Sequence, residues 1–363
     1  MAITENHSAV KAFIPEGNPT TLSVKPVDGG LINHSYKVES PSFHSFLLQQ
    51  INQHVFRDPE AVQYNYLSIW NYAQSHPEAI KLPKPLLDSD GKALFMDAQG
   101  GAWRAFEFMQ EVVAHPVASA LHEAFATAQT FARFTSGFSG FDPAQLKIVI
   151  PDFHNLSFRY KQFQEALKGS GEKRKAEAAY MIHEMLNRSH YKDFYETIVA
   201  MKDLFKTRVM HHDAKIANVL FNKQNGEVIC AVDFDTVMPG LYFSDLGDMI
   251  RSMACNLDEN NIEFSSVSIR SDYYDSILSG YYSIMEPFLT EGERKHIHHS
   301  GLLMIYMQAL RFLSDYLNND IYYKITYPEQ NKDRAMNQLI LLQSLESLLR
   351  SHYHYSLDTL PSK

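Results

Sequence analysis

Three side chains in the middle of the sequence are of the types, and at the spacing, that handle a metal ion and a proton: Asp213, Asn218 five positions later, and Asp233. Between the last two lie Val219-Leu220-Phe221 and Val228-Ile229-Cys230-Ala231-Val232, short apolar and partly β-branched runs. Lys223-Gln224-Asn225-Gly226 separates them with turn chemistry, so the segment predicts a hairpin. Asp213 and Asn218 then fall in the loop entering the first strand, and Asp233 falls where the second strand ends. A carboxylate in such a loop can orient or deprotonate a hydroxyl. An amide oxygen and a second carboxylate suit Mg²⁺, a hard cation that takes oxygen ligands and keeps several waters. Those are the requirements of phosphoryl transfer, which asks for positioning and charge neutralisation more than covalent chemistry. An isolated Asp-x4-Asn arises often by chance; the three residues around one apolar hairpin form the informative pattern.

Composition bounds the setting. A chain of 363 residues has room for two domains or one large bilobal unit. The net charge of −9 argues against a nucleic-acid partner, which needs a basic face. Two cysteines, Cys230 and Cys255, in apolar surroundings imply no disulfide framework. The first residues lack the charged and apolar regions of a secretion signal, and no apolar run approaches membrane-spanning length. The expectation is a cytoplasmic protein, where ATP and Mg²⁺ are available, with no membrane partner and acting as a monomer. The histidines are scattered without zinc-ligand spacing, and His296, His298 and His299 read as a solvated helix end.

The flanking elements divide by periodicity. Thr21–Val27, Ser35–Glu39 and Ser45–Asn52 alternate as strands, with the turn Asp28–His34 between the first two. Gly29, Gly30 and Asn33 in that turn suit either a plain hairpin or a loop whose backbone N–H groups meet phosphates. Residues 59–74 have helical spacing behind the start signal Asp58-Pro59-Glu60. Short strands follow near residues 84–87 and 93–97, then Trp103–Met109. Beyond Gln110 the pattern turns helical: 117–136, a helix containing Arg159 and Tyr160, Leu302–Leu317, and residues 335–351. The reading is an α+β chain, with an N-terminal antiparallel β-sheet lobe with one helix (1–109) and a larger, mainly helical C-terminal lobe (110–363).

His-His-Asp-Ala-Lys-Ile-Ala-Asn, from His211 to Asn218, followed by Val-Asp-Phe-Asp-Thr, from Val232 to Thr236, resembles the aminoglycoside phosphotransferase/choline kinase superfamily. Within it, D-x-K-x-x-N-x-L-F, V-D-x-D-T-x-M-P and the later G-D-M-I-R-S are similar to the N-acetylhexosamine 1-kinase branch, over roughly Gly29 to Pro328. The resemblance implies a bilobal protein-kinase-like fold, ATP as co-substrate, Mg²⁺, Asp213 as the catalytic carboxylate, and Asn218 and Asp233 as metal ligands. It implies nucleotide contacts from Gly29, Gly30, Asn33, Gln49 and a hinge at Glu107, Phe108 and Met109. Two departures stand out. Gln49 occupies the strand position where kinases carry a lysine, and His212 stands where the superfamily has glycine. For the acceptor, the candidates are His212, Asp235, Asp245, Asp248, Arg311 and Tyr322. Each has a plainer alternative: helix capping for Asp245 and Asp248, an ion pair with Asp315 for Arg311. The implied acceptor is a sugar, an N-acetylhexosamine phosphorylated at its anomeric hydroxyl. The alternatives are a choline, homoserine or aminoglycoside kinase, or a catalytically silent binding module of the same fold.

Overall fold

A computed structural model describes residues 4, 7–14, 21–27, 32–76, 81–357, 360 and 361. Gly29 and Gly30 lie outside the described residues. The chain forms two compact units. The first comprises residues 1–114 together with two later segments, 141–151 and 220–239; the second comprises 115–140, 152–219 and 240–363. The helical periodicity after Gln110 had placed a single boundary there, but the predicted hairpin returns to the first unit.

In that first unit a short helix α1 (Ser8–Phe13) precedes β1 (Ser23–Pro26), β2 (His34–Ser40) and β3 (Phe43–Gln50). The helix α2 (Pro59–Gln74) comes next, then β4 (Pro85–Leu86), β5 (Phe95–Met96), β6 (Ala102–Glu107) and β7 (Val112–Ala114). The main sheet runs β1-β2-β3-β6-β4, with β5 also on β6. Its pairings are antiparallel, and the register aligns Ser35 with Gln49 and Gln49 with Arg104. Three side chains on adjacent strands therefore share one face. Apolar residues on alternate positions, Tyr36, Val38, Phe46 and Leu48, join Trp103, Ala105 and α1 in one core cluster. The hairpin Val219–Asn222/Val228–Ala231 forms, and β7 adds to its outer strand.

The start signal read for α2 operates as expected. Asp58 accepts a hydrogen bond from the Ala61 amide at 2.9 Å and Pro59 takes the first turn. The helix buries Val62, Tyr66, Ile69 and Ala73 along one stripe.

The second unit is built around the helix His299–Leu317, buried on nearly every side. Its neighbours are the helices Leu156–Gly169, Phe243–Met249 and Gln330–Ser351, while Leu121–Gly137 packs on Ser271–Met285. A side chain at Gly247 would run into the carbonyl oxygen of Ser300, so glycine is what lets these two helices approach. One expectation is overturned here. His296 and His299 are buried, not solvated. His299 stacks on Phe194 with ring centroids 3.7 Å apart and shares a 2.6 Å hydrogen bond with the Tyr355 hydroxyl. Burial pushes its pKa down to about 3, and that of His298 to about 4. Both rings are held neutral by burial, His299 in the core and His298 half-buried, because an imidazolium there would be poorly hydrated.

Candidate active site

The loop after the strand Arg208–Met210 carries Asp213 and Asn218 in the second unit. Lys215 donates to Asp213 Oδ2 at 2.9 Å. The Asn218 amide donates to the same oxygen at 2.8 Å and to the Asp213 carbonyl at 2.9 Å. The Asp-x4-Asn spacing thus closes the loop upon itself, because the Asn218 Nδ2 spans back over the intervening residues. Burial works to raise the Asp213 pKa. The positive charge and hydrogen bond of Lys215 outweigh it, with help from His211 and Asn218, and leave the carboxyl below its usual range. Asp213 is ionised at neutral pH and able to accept a proton or a hydrogen bond from an alcohol. With Nδ2 committed to Asp213, the Asn218 amide oxygen takes no protein hydrogen bond among the described residues. That is the orientation a hard-cation ligand needs.

Asp245 supports this loop from beneath. Its two oxygens accept from the backbone amides of His211 at 2.9 Å and His212 at 2.7 Å. Burial is complete enough to push its pKa up to about 7 despite those donors, with Asp248 and Asp213 adding to the rise. Asp248 is paired with Arg251, Nη2 to Oδ1 at 2.8 Å, and burial raises its pKa against that pairing. Both carboxylates are therefore occupied within the fold, but not by helix capping: they lie inside the helix Phe243–Met249, whose N-terminus has no side-chain cap, and Asp245 buttresses the loop instead.

His212 adopts the left-handed backbone, φ 64°, that glycine tolerates without cost. The imidazole lies over Gly240, where a side chain would collide with it. It meets His154 at 3.2 Å between Nδ1 atoms, and Phe153 stacks on His154 at 4.5 Å. Arg311 lies over Phe153 at 5.4 Å and over Tyr323 at 5.7 Å and donates to Gln308 at 3.0 Å. Arg159 donates to the Phe153 carbonyl at 3.1 Å and to Gln162 at 2.9 Å. No ion pair to a carboxylate engages either arginine among the described residues. The Arg311–Asp315 pair considered from their spacing does not form. Asp315 instead accepts from the Tyr322 and Tyr323 amides, each at 2.9 Å, and from Asn331. Burial, then the charge of Arg311, lowers the Arg159 pKa to about 10. His154 is driven well below its normal range by burial and by His212, Arg311 and Arg159. The cluster is electropositive and aromatic. Tyr322 is largely exposed, with its backbone amide tied to Asp315.

In the first unit the other candidates are arranged as follows. Asp233 ends the hairpin in a left-handed conformation, φ 66° and ψ 60°, with an exposed side chain. The chain then tightens into the turn Phe234–Thr236, so Asp235 does not continue the strand and is buried. It forms an ion pair with Arg104 and accepts from the Asn33 amide at 2.7 Å. Gln49 accepts from Arg104 Nη2 at 3.1 Å and donates to the Ser35 hydroxyl at 3.0 Å, which uses both ends of its amide. The Glu107 amide donates to Lys84 and the Phe108 amide to Ser45, both within the sheet. Lys37 sits 4.6 Å from the Phe108 ring, and Met109 meets Cys230 at 3.5 Å between sulfurs.

Sequence reasoning passed over Arg104, His154 and Arg159, and gave Lys215 no role. The signal for Arg104 was present: a lone charge inside the apolar run Ala102–Phe106 needs a buried partner.

An antiparallel sheet in the N-terminal region, a mainly helical C-terminal region and a loop holding an ionised aspartate against a lysine and an asparagine define a phosphotransferase with a protein-kinase-like fold. The chain belongs to the phosphotransferase enzyme family APH, whose profile matches residues 23–263. An aminoglycoside phosphotransferase from Alicyclobacillus acidocaldarius subsp. acidocaldarius shares the fold. Its TM-score is 0.58 at 12% identity, over 90% of this chain and 94% of that one. A microcompartment-associated aminopropanol kinase gives TM-score 0.56 at 17% identity, covering 91% and 93%. Choline kinase from Cryptosporidium parvum Iowa II gives 0.54 at 14%, covering 92% of each chain. Among the described residues no helix is long and apolar enough to cross a membrane.

Proposed function

We propose that this phosphotransferase uses ATP and Mg²⁺ to phosphorylate the anomeric hydroxyl of an N-acetylhexosamine, giving the sugar 1-phosphate, as a cytoplasmic monomer. The observation that carries the kinase reading is Asp213, kept ionised by Lys215 and Asn218 at 2.9 Å and 2.8 Å. Asp213 orients the acceptor hydroxyl and accepts its proton. Lys215 lies where it can meet negative charge developing on the transferred group. Asn218, through its free amide oxygen, and Asp233 are the proposed metal ligands. The ion, when bound, neutralises phosphate charge.

The choice of acceptor rests on the cluster of Arg159, Arg311, His154 and His212. Two arginines without carboxylate partners repel an aminoglycoside or a choline headgroup, which are cations best held by acidic loops or aromatic cages. The same groups donate hydrogen bonds to hydroxyl and acetamido oxygens, and Phe153 and Tyr323 offer faces to a sugar ring. The silent-module alternative is disfavoured by the ionised Asp213, which a binding scaffold does not require.

The test is ADP release with Mg·ATP across N-acetylglucosamine, N-acetylgalactosamine, glucose, choline, homoserine and kanamycin, with the phosphate position read by ³¹P NMR. An acid-labile 1-phosphate from the acetamido sugars is expected. Turnover confined to the cationic acceptors would sink the sugar assignment and leave the kinase reading intact.

A further inference from the structure

We infer that Arg104 is a positioning residue for the metal-binding end of the hairpin. Through its buried pair with Asp235, it holds Asp233 in the strained bend from which that carboxylate reaches a divalent cation. The inference rests on the kinase reading, since it takes Asp233 to be a metal ligand.

The argument begins with backbone strain. A left-handed aspartate is uncommon and persists only where its surroundings over-determine it. Phe234, Asp235 and Val237, which follow Asp233, are each tied down within the same unit. Phe234 is buried with its ring 5.8 Å from that of Tyr66 on α2. Asp235 takes Arg104 and Asn33. The Val237 carbonyl accepts from Asn65 of α2 at 2.9 Å, and Asn65 also exchanges two 2.8 Å bonds with Lys147.

Of these anchors only the Arg104 pair is ionic. Both side chains are about 2% exposed. The guanidinium stands in register with Gln49 and donates to it through Nε at 3.3 Å and Nη2 at 3.1 Å. Gln49 occupies the strand position of the lysine that kinases use for phosphate. The charge absent from that strand is present on its neighbour, directed to Asp235 rather than outward. Arg104 Nη1 is buried and has no hydrogen-bond partner among the described residues. Apolar side chains of similar volume often stabilise a core as well as a buried ion pair does, so stability alone does not call for the pair. Asn33, on the other side of Asp235, directly precedes β2. It also accepts from the Asn52 amide at 3.0 Å. One carboxylate thus links the start of β2, β6 and the bend at Asp233.

Four variants test this: Arg104→Gln, Arg104→Lys, Asp235→Asn, and the double variant Arg104→Gln/Asp235→Asn. The readouts are thermal unfolding without ligand and Mn²⁺ binding to the full chain in the presence of saturating ADP, followed by electron paramagnetic resonance. Removing both buried charges together leaves neither unpaired, so the double variant recovers most of the melting temperature that either single substitution loses. Its Mn²⁺ affinity stays about tenfold or more below that of the parent, as for loss of a group orienting a metal ligand. Arg104→Lys keeps the charge without the fork and falls between. KM for Mg·ATP rises with the Mn²⁺ constant, and ADP affinity without metal is unchanged. If the folded double variant binds Mn²⁺ as the parent does, the pair is structural only and the inference is overturned. If the parent itself binds ADP but no Mn²⁺, the inference again fails. Parent protein that binds no nucleotide at all overturns it together with the kinase reading, and the ADP measurement separates that outcome from the others.

Discussion

Asp213 in the loop and Asp245 in the helix beneath it have pKa values displaced in opposite directions by opposite environments. Asp213 faces a lysine and stays charged; Asp213→Asn is expected to lower kcat by about 10²–10⁴-fold, the usual range for a positioned acid–base group, with ADP affinity unchanged by calorimetry. Asp245 faces backbone dipoles in a buried pocket and sits near pH 7. Its folded pKa lies above the unfolded value of about 3.9, so the native state holds the extra proton between about pH 4 and 7. Stability from this group is complete below that window, is lost as the pH rises through it, and is level above. Asp248, raised by burial, acts with the same sign. Asp213, lowered, acts with the opposite sign and loses its contribution only on stronger acidification. Below about pH 6.5 the histidines His154, His296, His298 and His299, held neutral in the fold by burial, act in the opposite sense, so the carboxyl is read as a difference from Asp245→Asn. Between about pH 5 and 7 the unfolding free energy from urea titration should fall with pH in the parent relative to that variant, by at most about 1.4 kcal/mol per unit. A parent-minus-variant difference that is flat or rises across this range would contradict the assignment.

At the scale of elements, the local signals were legible and the long-range ones were not. The hairpin after Asn218 could be read from two β-branched runs and a turn, and α2 from Asp58-Pro59 and its apolar stripe. Arg104 could not be assigned because its partner lies 131 positions away, and nothing in Ala102–Glu107 says which carboxylate will meet it. His296 and His299 were misread for the same reason: their surroundings are Phe194 and Tyr355, distant in sequence. The left-handed His212 could be suspected from the glycine usual at that position, but not the collision it sets up with Gly240. Two glycines give a ranked prediction. Gly247→Ala meets a backbone carbonyl of a packed helix and Gly240→Ala meets an imidazole that can swing aside. Overpacking costs typically run about 1–3 kcal/mol. Gly247→Ala is expected at or above the top of that range and Gly240→Ala near the bottom, by chemical denaturation. Gly240→Ala should also raise the acceptor KM by displacing His212 from His154, while Gly247→Ala leaves KM in its folded fraction unchanged.

Over the whole molecule, the sequence-level division into a strand-rich beginning and a helix-rich remainder was correct in kind. The contact-based units add what periodicity cannot show, that segments 141–151 and 220–239 belong with the beginning. Ligand linkage gives a global test: ADP with Mg²⁺ at about a hundred times its Kd should add about 2.7 kcal/mol to unfolding. The same ligand should add little to Asp233→Ala if the metal carries much of that affinity. The division also bears on biosynthesis. A ribosome delivering this chain releases the sheet of the first unit long before residue 239, whose segment supplies Asp235, the partner of Arg104. Until then Arg104 is an unneutralised cation in an unfinished core. Co-translational folding of the first unit must wait for about two-thirds of the chain, and nascent chains halted near residue 150 should remain protease-sensitive where chains halted well beyond 239 resist.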